Sequence, residues 1–233
     1  MEWQLSRGKC LSMSLGVIMA AVVCLASWSA FRVGVAAPVG QNPSKAAQSV
    51  DALPPPGTYK IDPEHAFAYF SAWHHFVGRV RGRFERVTGT IEAAQDPAAC
   101  SVAVTIDISS LTTQVKERDD DLLGAAYFDV KKFPTMTYEG KGIHRLADGT
   151  WRMDGSLSLH GVTKTVPLTF TYRGSFPRKK PQEPIRACFH ASTAVKRADF
   201  GMGARDNLDE VGHSPAADVE IEIDVEADAV SHT

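Results

Sequence analysis

The sequence predicts an all-β fold, an eight-stranded antiparallel up-and-down barrel with a short helix covering one mouth, and three observations carry that expectation. The first is the stretch from Gly155 to Phe170. There Gly155, Leu157 and Leu159 alternate with Ser156, Ser158 and His160, and after Gly161 Val166, Leu168, Phe170 and Tyr172 alternate with Thr165, Thr169 and Thr171. This is the period of two half-buried strands folding back across a tight turn. The second is the run Val219 to Ala227, where Val219, Ile221, Ile223 and Val225 face one way and Glu220, Glu222, Asp224 and Glu226 the other. The third is recurrence: strands of this kind follow one another along the chain with short connections. Each has one apolar face that needs a partner, and a closed sheet provides it.

The chain begins with Arg7 and Lys9, and Leu11 to Phe31 then carries no charge before the small residues Ala36 and Ala37. This reads as a signal peptide over residues 1–37, with an uncleaved membrane anchor as the competing reading, since the uncharged run is long for a signal core. Val23 just before Cys24 argues against lipoprotein-type cleavage, and cleavage after Ala36 or Ala37 is preferred. Residues 38–57, rich in Gln, Asn, Ser and Ala and closing on Pro54, Pro55 and Pro56, read as a linker that buries little. Residues 58–228 are enough for one domain with a real core, and 229–233 form a tail.

The whole chain has 25 basic and 27 acidic residues. Removing residues 1–37 takes away Arg7, Lys9, Arg32 and Glu2, which leaves 22 against 26 and no general attraction for nucleic acid. Of the four cysteines, Cys10 and Cys24 fall in the export segment. Cys100 is in phase with the inward Val102, Val104 and Ile106, whereas Cys188 is out of phase with Ala187 and Ala191. The two are expected to be free thiols on opposite sides of the wall, unless a bulge intervenes.

Taken in order, the expected strands are Tyr59 to Ala72, broken near Pro63; Val80 to Ala93; Ser101 to Ile108; Thr135 to His144; Trp151 to Leu159; Thr165 to Arg173; Ile185 to Val195; and Val219 to Ala227. Between the third and fourth, Gln114 to Leu123 is helix-tolerant after a cap at Thr112 or Thr113, with Val115, Leu122 and Leu123 as its apolar contribution.

A set of short motifs stands in one order along this span: Tyr59-Lys60-Ile61-Asp62-Pro63-Glu64-His65, His74, Gly82-Arg83-Phe84, Gly89, Ser110-Leu111-Thr112-Thr113, Arg118-Asp119, Phe128 to Pro134, Gly155 to Lys164, and Arg197-Ala198-Asp199-Phe200-Gly201. With them the chain resembles the YceI family of exported lipid-binding proteins. The resemblance implies a lipocalin-like barrel, often periplasmic, whose cavity holds a long-chain polyisoprenoid or related amphipathic lipid, with no established enzymatic activity. Ala66, Gly124-Ala125-Ala126, Lys196 and the charged stretch Ala204 to Ala217 depart from the family pattern and bear on head-group details more than on the fold.

Following that register, Ala66, Ala68, Phe70 and Ala72 face inward, and Phe67, Tyr69 and Trp73 lie outside, under the helix or at a contact surface. The lumen residues expected to hold the ligand are Phe70, His74, Phe84, Ile106, Leu122, Phe128, Met136, Tyr138, Leu157, Leu168, Phe170 and Phe189. Small inward residues, among them Ala68, Ala72, Gly82, Gly155, Ala187 and Ala191, are expected to leave volume unfilled beside the aromatic rings.

Polar residues carry less. His65 and His74 lean inward and His75 faces away, with His160 and His190 on outer faces. This gives no pair with metal-ligand spacing beside an acidic partner, so no metal is expected. Arg118 with Asp119, and Arg197 with Asp199, read either as structural ion pairs or, through the arginines, as head-group contacts. Ser109 and Ser110 lie in no nucleophile elbow, and Asp119 to Asp121 looks like a solvated helix face, so no enzyme is expected. The reading is an exported, periplasmic or secreted protein that sequesters a polyisoprenoid, an isoprenoid quinone or a similar lipid without a further cofactor. The partners expected are that lipid, with transient membrane contact and homodimerisation left open. The alternative is an exported stress-response or protein-interaction module with a packed barrel.

Overall fold

The computed structural model describes residues 53–74, 78–177, 183–202 and 218–230, which all fall within one compact unit, Ser44–Thr233. The signal or anchor segment, residues 38–52 of the linker, His75 and all of Ala204 to Ala217 lie outside the described residues.

In chain order the elements are β1 (Gly57–His74), β2 (Gly78–Phe84), β3 (Val87–Ala93), β4 (Ser101–Asp107), β5 (Leu111–Thr112), α1 (Lys116–Leu123), β6 (Thr135–Lys141), β7 (His144–Arg145), β8 (Trp151–Leu159), β9 (Val162–Phe176), β10 (Arg186–Lys196) and β11 (Asp218–Ala229). Antiparallel pairing runs β11-β10-β9-β8-β6-β4-β3-β1, and β1 pairs β11 again. The result is a closed eight-stranded barrel with, among the described residues, one short α-helix. Closure leaves no long edge unpaired, which is how an all-β wall with one apolar face satisfies both its backbone and its core.

The strand expected over Val80 to Ala93 is two segments. β2 pairs Ala68 to His74 of β1, β3 pairs Gly57 to Lys60, and Glu85 and Arg86 interrupt them. The side chain of Ser110 causes the break to hold: its Oγ accepts the N–H groups of Glu85 at 3.1 Å and Arg86 at 3.0 Å and donates to the Asp107 carbonyl at 2.6 Å. Backbone groups that leave the ladder are thereby still paired. The strand expected over Thr135 to His144 also divides, because Gly142 turns at φ 75° and its N–H bonds the Cys100 carbonyl at 2.8 Å. At the hairpin between β8 and β9, His160 and Gly161 have φ of 53° and 76°, the geometry of a two-residue turn that follows strand twist.

α1 starts two residues later than Gln114. Gln114 sits at φ 65° and Val115 is extended at the N-cap with no side-chain bond, so neither Thr112 nor Thr113 caps the helix. Val115 is exposed, and only Leu122 and Leu123 pack on the core. The end of the expected linker is not free either, since Pro54 is buried and Leu53 packs on Cys100, Ile143, Trp151 and Met153. His65 is exposed and not inward: the β1–β11 register shifts between Ile61 and Ala66, and this bulge breaks the alternation.

Ala66, Ala68 and Phe70 do face the core. Of the outward aromatics, Phe67 and Trp73 lie beneath guanidinium groups and not the helix, with Arg83 5.2 Å and Arg79 4.9 Å from the ring centres. Cys100 is buried and Cys188 half-buried beside the β9–β10 register shift, and neither is in a disulfide.

Candidate functional site

Alternate residues of the staves converge on an apolar cavity of about 470 Å³ inside the barrel. Because a strand has a period of two, each stave presents every second side chain to it. β1 supplies Phe70 with Ala68 and Ala72, β2 supplies Phe84, and β4 supplies Ile106. Met136 and Tyr138 come from β6, Leu157 from β8, Leu168 and Phe170 from β9, and Phe189 with Ala191 from β10. Leu122 of α1 and Phe128 just beyond it reach the same space. Phe128 meets Phe84 edge-on at 5.6 Å between ring centres, and Phe84 lies 5.7 Å from Phe70. The structure thus brings together these expected lumen residues, while the side chain of His74 lies outside the described residues.

Small inward residues act in two ways. Ala68, Ala72 and Ala191 border the cavity. Gly82 and Gly155 leave no volume there, contrary to expectation, because aromatic rings cross them. A Cβ at Gly82 would stand 2.4 Å from Cζ of Phe70, and one at Gly155 2.4 Å from Cζ of Tyr138. Ala187 is wholly buried in packed core. The ring of Tyr138 is laid down so that its hydroxyl donates to the Val166 carbonyl at 3.1 Å, with the Met153 carbonyl at 3.3 Å. Burial is the main reason its pKa is pushed up to about 12. Its one donor is used, so the phenol adds ring surface to the lumen and little polarity.

Near α1 the charged residues Arg118, Asp121 and Arg197 border the cavity, and Glu92 borders it at the opposite end. Arg118 and Asp119 do not pair directly, and instead grip Thr113 from two sides. Arg118 Nε donates to Thr113 Oγ1 at 2.7 Å and Nη2 to the Thr113 carbonyl at 3.0 Å, while the Thr113 N–H and hydroxyl donate to Asp119 Oδ1 at 2.8 and 2.5 Å. Arg197 opens the 3-10 turn Arg197–Phe200, whose Phe200 is buried and accepts through its carbonyl a bond from His160 Nδ1 at 3.0 Å. Asp199 is exposed on the same turn.

One polar cluster escaped the sequence reading. Arg186 of β10 points outward yet is buried, because the β1 bulge folds over it. It holds Asp228 through two bonds at 2.8 and 2.9 Å, Glu226 at 2.9 Å and Asp62 at 2.5 Å, with His65 Nδ1 at 3.2 Å. Burial alone would lower the guanidinium's pKa, and the bonds to Asp228 and Glu226 outweigh it and raise it. Burial likewise opposes, but does not prevent, the lowering of Asp62 by the Glu64 N–H, His65 and Arg186. Asp62, Glu64 and His65 have ligand atoms within 4.8 Å of one another, a metal-like grouping that the sequence reading excluded by putting His65 inward. The guanidinium already supplies the positive charge there. No spacing marks Arg186; Glu226, read as an outward acid of the last strand, was the available signal, and Asp228 lies one residue beyond the strand as it was read.

A family model described as the YceI-like domain matches residues 59–227. A UPF0312 protein of Pseudomonas putida is 33% identical over 147 residues, which cover 62% of this chain and 76% of that protein. Among solved structures, the Campylobacter jejuni YCEI protein superposes with a TM-score of 0.57 at 26% identity, covering 68% of this chain and 90% of that one. A polyisoprenoid-binding domain from Saccharophagus degradans shares the fold at a TM-score of 0.52 and 16% identity, over 74% of this chain and 98% of its own. With the matched span running from the third residue of β1 to within two residues of the end of β11, this chain belongs to the YceI-like domain family.

Proposed function

We propose that this protein is an exported lipid carrier that sequesters a long-chain polyisoprenoid, an isoprenoid quinone or a similar amphipathic lipid in its barrel. The observation that carries the reading is the apolar lumen of about 470 Å³ with arginines Arg118 and Arg197 at one end. Its volume is of the size that takes small ligands, and an interior left open at this scale costs packing energy unless something fills it. Each buried methylene contributes about 0.8 kcal/mol, so ten offset the loss of freedom on association. The S. degradans neighbour, a polyisoprenoid-binding domain, supports the same class of cargo. Phe70, Phe84, Ile106, Leu122, Phe128, Met136, Tyr138, Leu157, Leu168, Phe170 and Phe189 would clasp the tail, and Arg118 or Arg197 would meet a phosphate or carbonyl head. The leader-like residues 1–37 support a periplasmic or secreted site of action, with exchange at a membrane through the mouth beneath α1. No bond need be made or broken.

Native mass spectrometry of the protein from its own compartment, followed by lipid extraction, tests this. A stoichiometric adduct in the mass range of a polyprenyl lipid or quinone is expected. Ala191 borders the lumen between Phe170 and Ile223 in the sheet, so Ala191→Phe should abolish the adduct while the far-ultraviolet circular dichroism is kept. A clean apo mass that persists after incubation with such lipids would instead favour the packed interaction module.

A further inference from the structure

The end of the lumen away from α1 is bordered by two residues that precede the first strand, Leu53 and Pro54, beside Cys100 and Ile143. Register fixes which end this is. β1 enters the sheet at Gly57 opposite Ala93 and leaves at His74 opposite Gly78, and the α1 end carries Ala72, Val80 and Val219. Leu53 rests on Cys100, Ile143, Trp151 and Met153, the smaller of the two apolar clusters. Pro54 is buried, and the hydroxyl of Tyr59 donates to the Pro55 carbonyl at 2.7 Å, tying the segment back to β1. Pro54, Pro55 and Pro56 each lock φ, so little freedom is lost in holding this conformation.

We propose that Leu53 and Pro54 form a fixed stopper that closes this end of the lumen and sets the longest apolar chain the barrel admits. The ligand then enters beneath α1 and its tail ends against Leu53. This rests on the lipid-carrier reading and makes the residues before the first strand determinants of chain-length specificity. Two features of the site agree: Leu53 meets an apolar floor, as a tail terminus needs, and the arginines lie at the other end, where a head group would stay.

The test is the affinity of the full chain for geraniol, farnesol, geranylgeraniol and solanesol, read by displacement of a fluorescent fatty acid. Wild type, Leu53→Ala/Pro54→Ala and Leu53→Trp are compared, all altered outside the strands. Wild type is expected to bind more tightly with length up to a limit. The Ala pair should move that limit to longer alcohols and tighten the first one beyond it roughly tenfold, what about two further buried methylenes give. Leu53→Trp should move it to shorter ones. A limit at the same alcohol in all three proteins overturns the stopper and leaves the carrier reading standing. No binding of any alcohol by wild type overturns the carrier reading, and the stopper with it.

Discussion

Gly155 and Tyr138 form a lock-and-space pair that shows how the lumen is shaped one residue at a time. The phenol ring occupies the position of a missing side chain, 2.4 Å from where a Cβ would stand, and the Glu139 carbonyl is only 2.7 Å from the same point. Gly155→Ala is therefore expected to destabilise the fold by about 1–3 kcal/mol, the usual cost of overpacking a filled site. Urea denaturation measures it, and the double change with Tyr138→Leu should recover part of the loss; equal stability of Gly155→Ala and wild type would refute the account. Alternation told correctly that Gly155 faces inward. It could not tell that the space beside it is full, because occupancy depends on a ring carried by a different strand.

At the scale of elements, α1 is a lightly held cover. It has no side-chain bond at its N-cap and no fully buried residue, and four of its eight residues are acidic. Its attachment comes largely from Leu122 and Leu123 beneath it and from the grip of Arg118 and Asp119 on Thr113. Thr113→Val removes the hydroxyl that both side chains use. Amide hydrogen exchange over Lys116–Leu123 should then quicken roughly tenfold, as the loss of about 1–1.5 kcal/mol implies, while β8 and β9 keep their protection. Unchanged exchange in α1 would mean that the apolar contacts alone hold it. The helix itself was legible from composition, but its start was not. Gln114 takes a left-handed φ that no local pattern announces, and Thr113, which looked like a cap, is a handle for the residues that follow.

For the whole molecule the decisive assembly is Arg186 with Asp62, Glu226 and Asp228, which ties β10, β11 and β1 together on the outer wall. Asp62 has a lowered pKa, so its contribution is fully present above the ordinary aspartate range and is lost as pH falls through its lower folded value. Wild-type stability should accordingly drop below about pH 4. Arg186→Met leaves three carboxylates without their cation. It should cost about 3 kcal/mol at pH 7 and invert the trend, with thermal stability rising from pH 7 to 5 as those acids take up protons. A parallel pH profile for the two proteins would show that the cluster is not the source. The barrel and its inward faces were readable from the sequence because every stave repeats one period. The Arg186 cluster was not, because it joins residues far apart in the chain across a bulge. That same joint makes the first stave a neighbour of the last: Tyr59 stands opposite Ala229. The ring therefore cannot shut until β11, the last of its staves in chain order, has been made. Its final step pairs strands from opposite ends of the barrel's span, which places this protein among slow folders and leaves one edge of β1 open to wrong partners until β11 arrives.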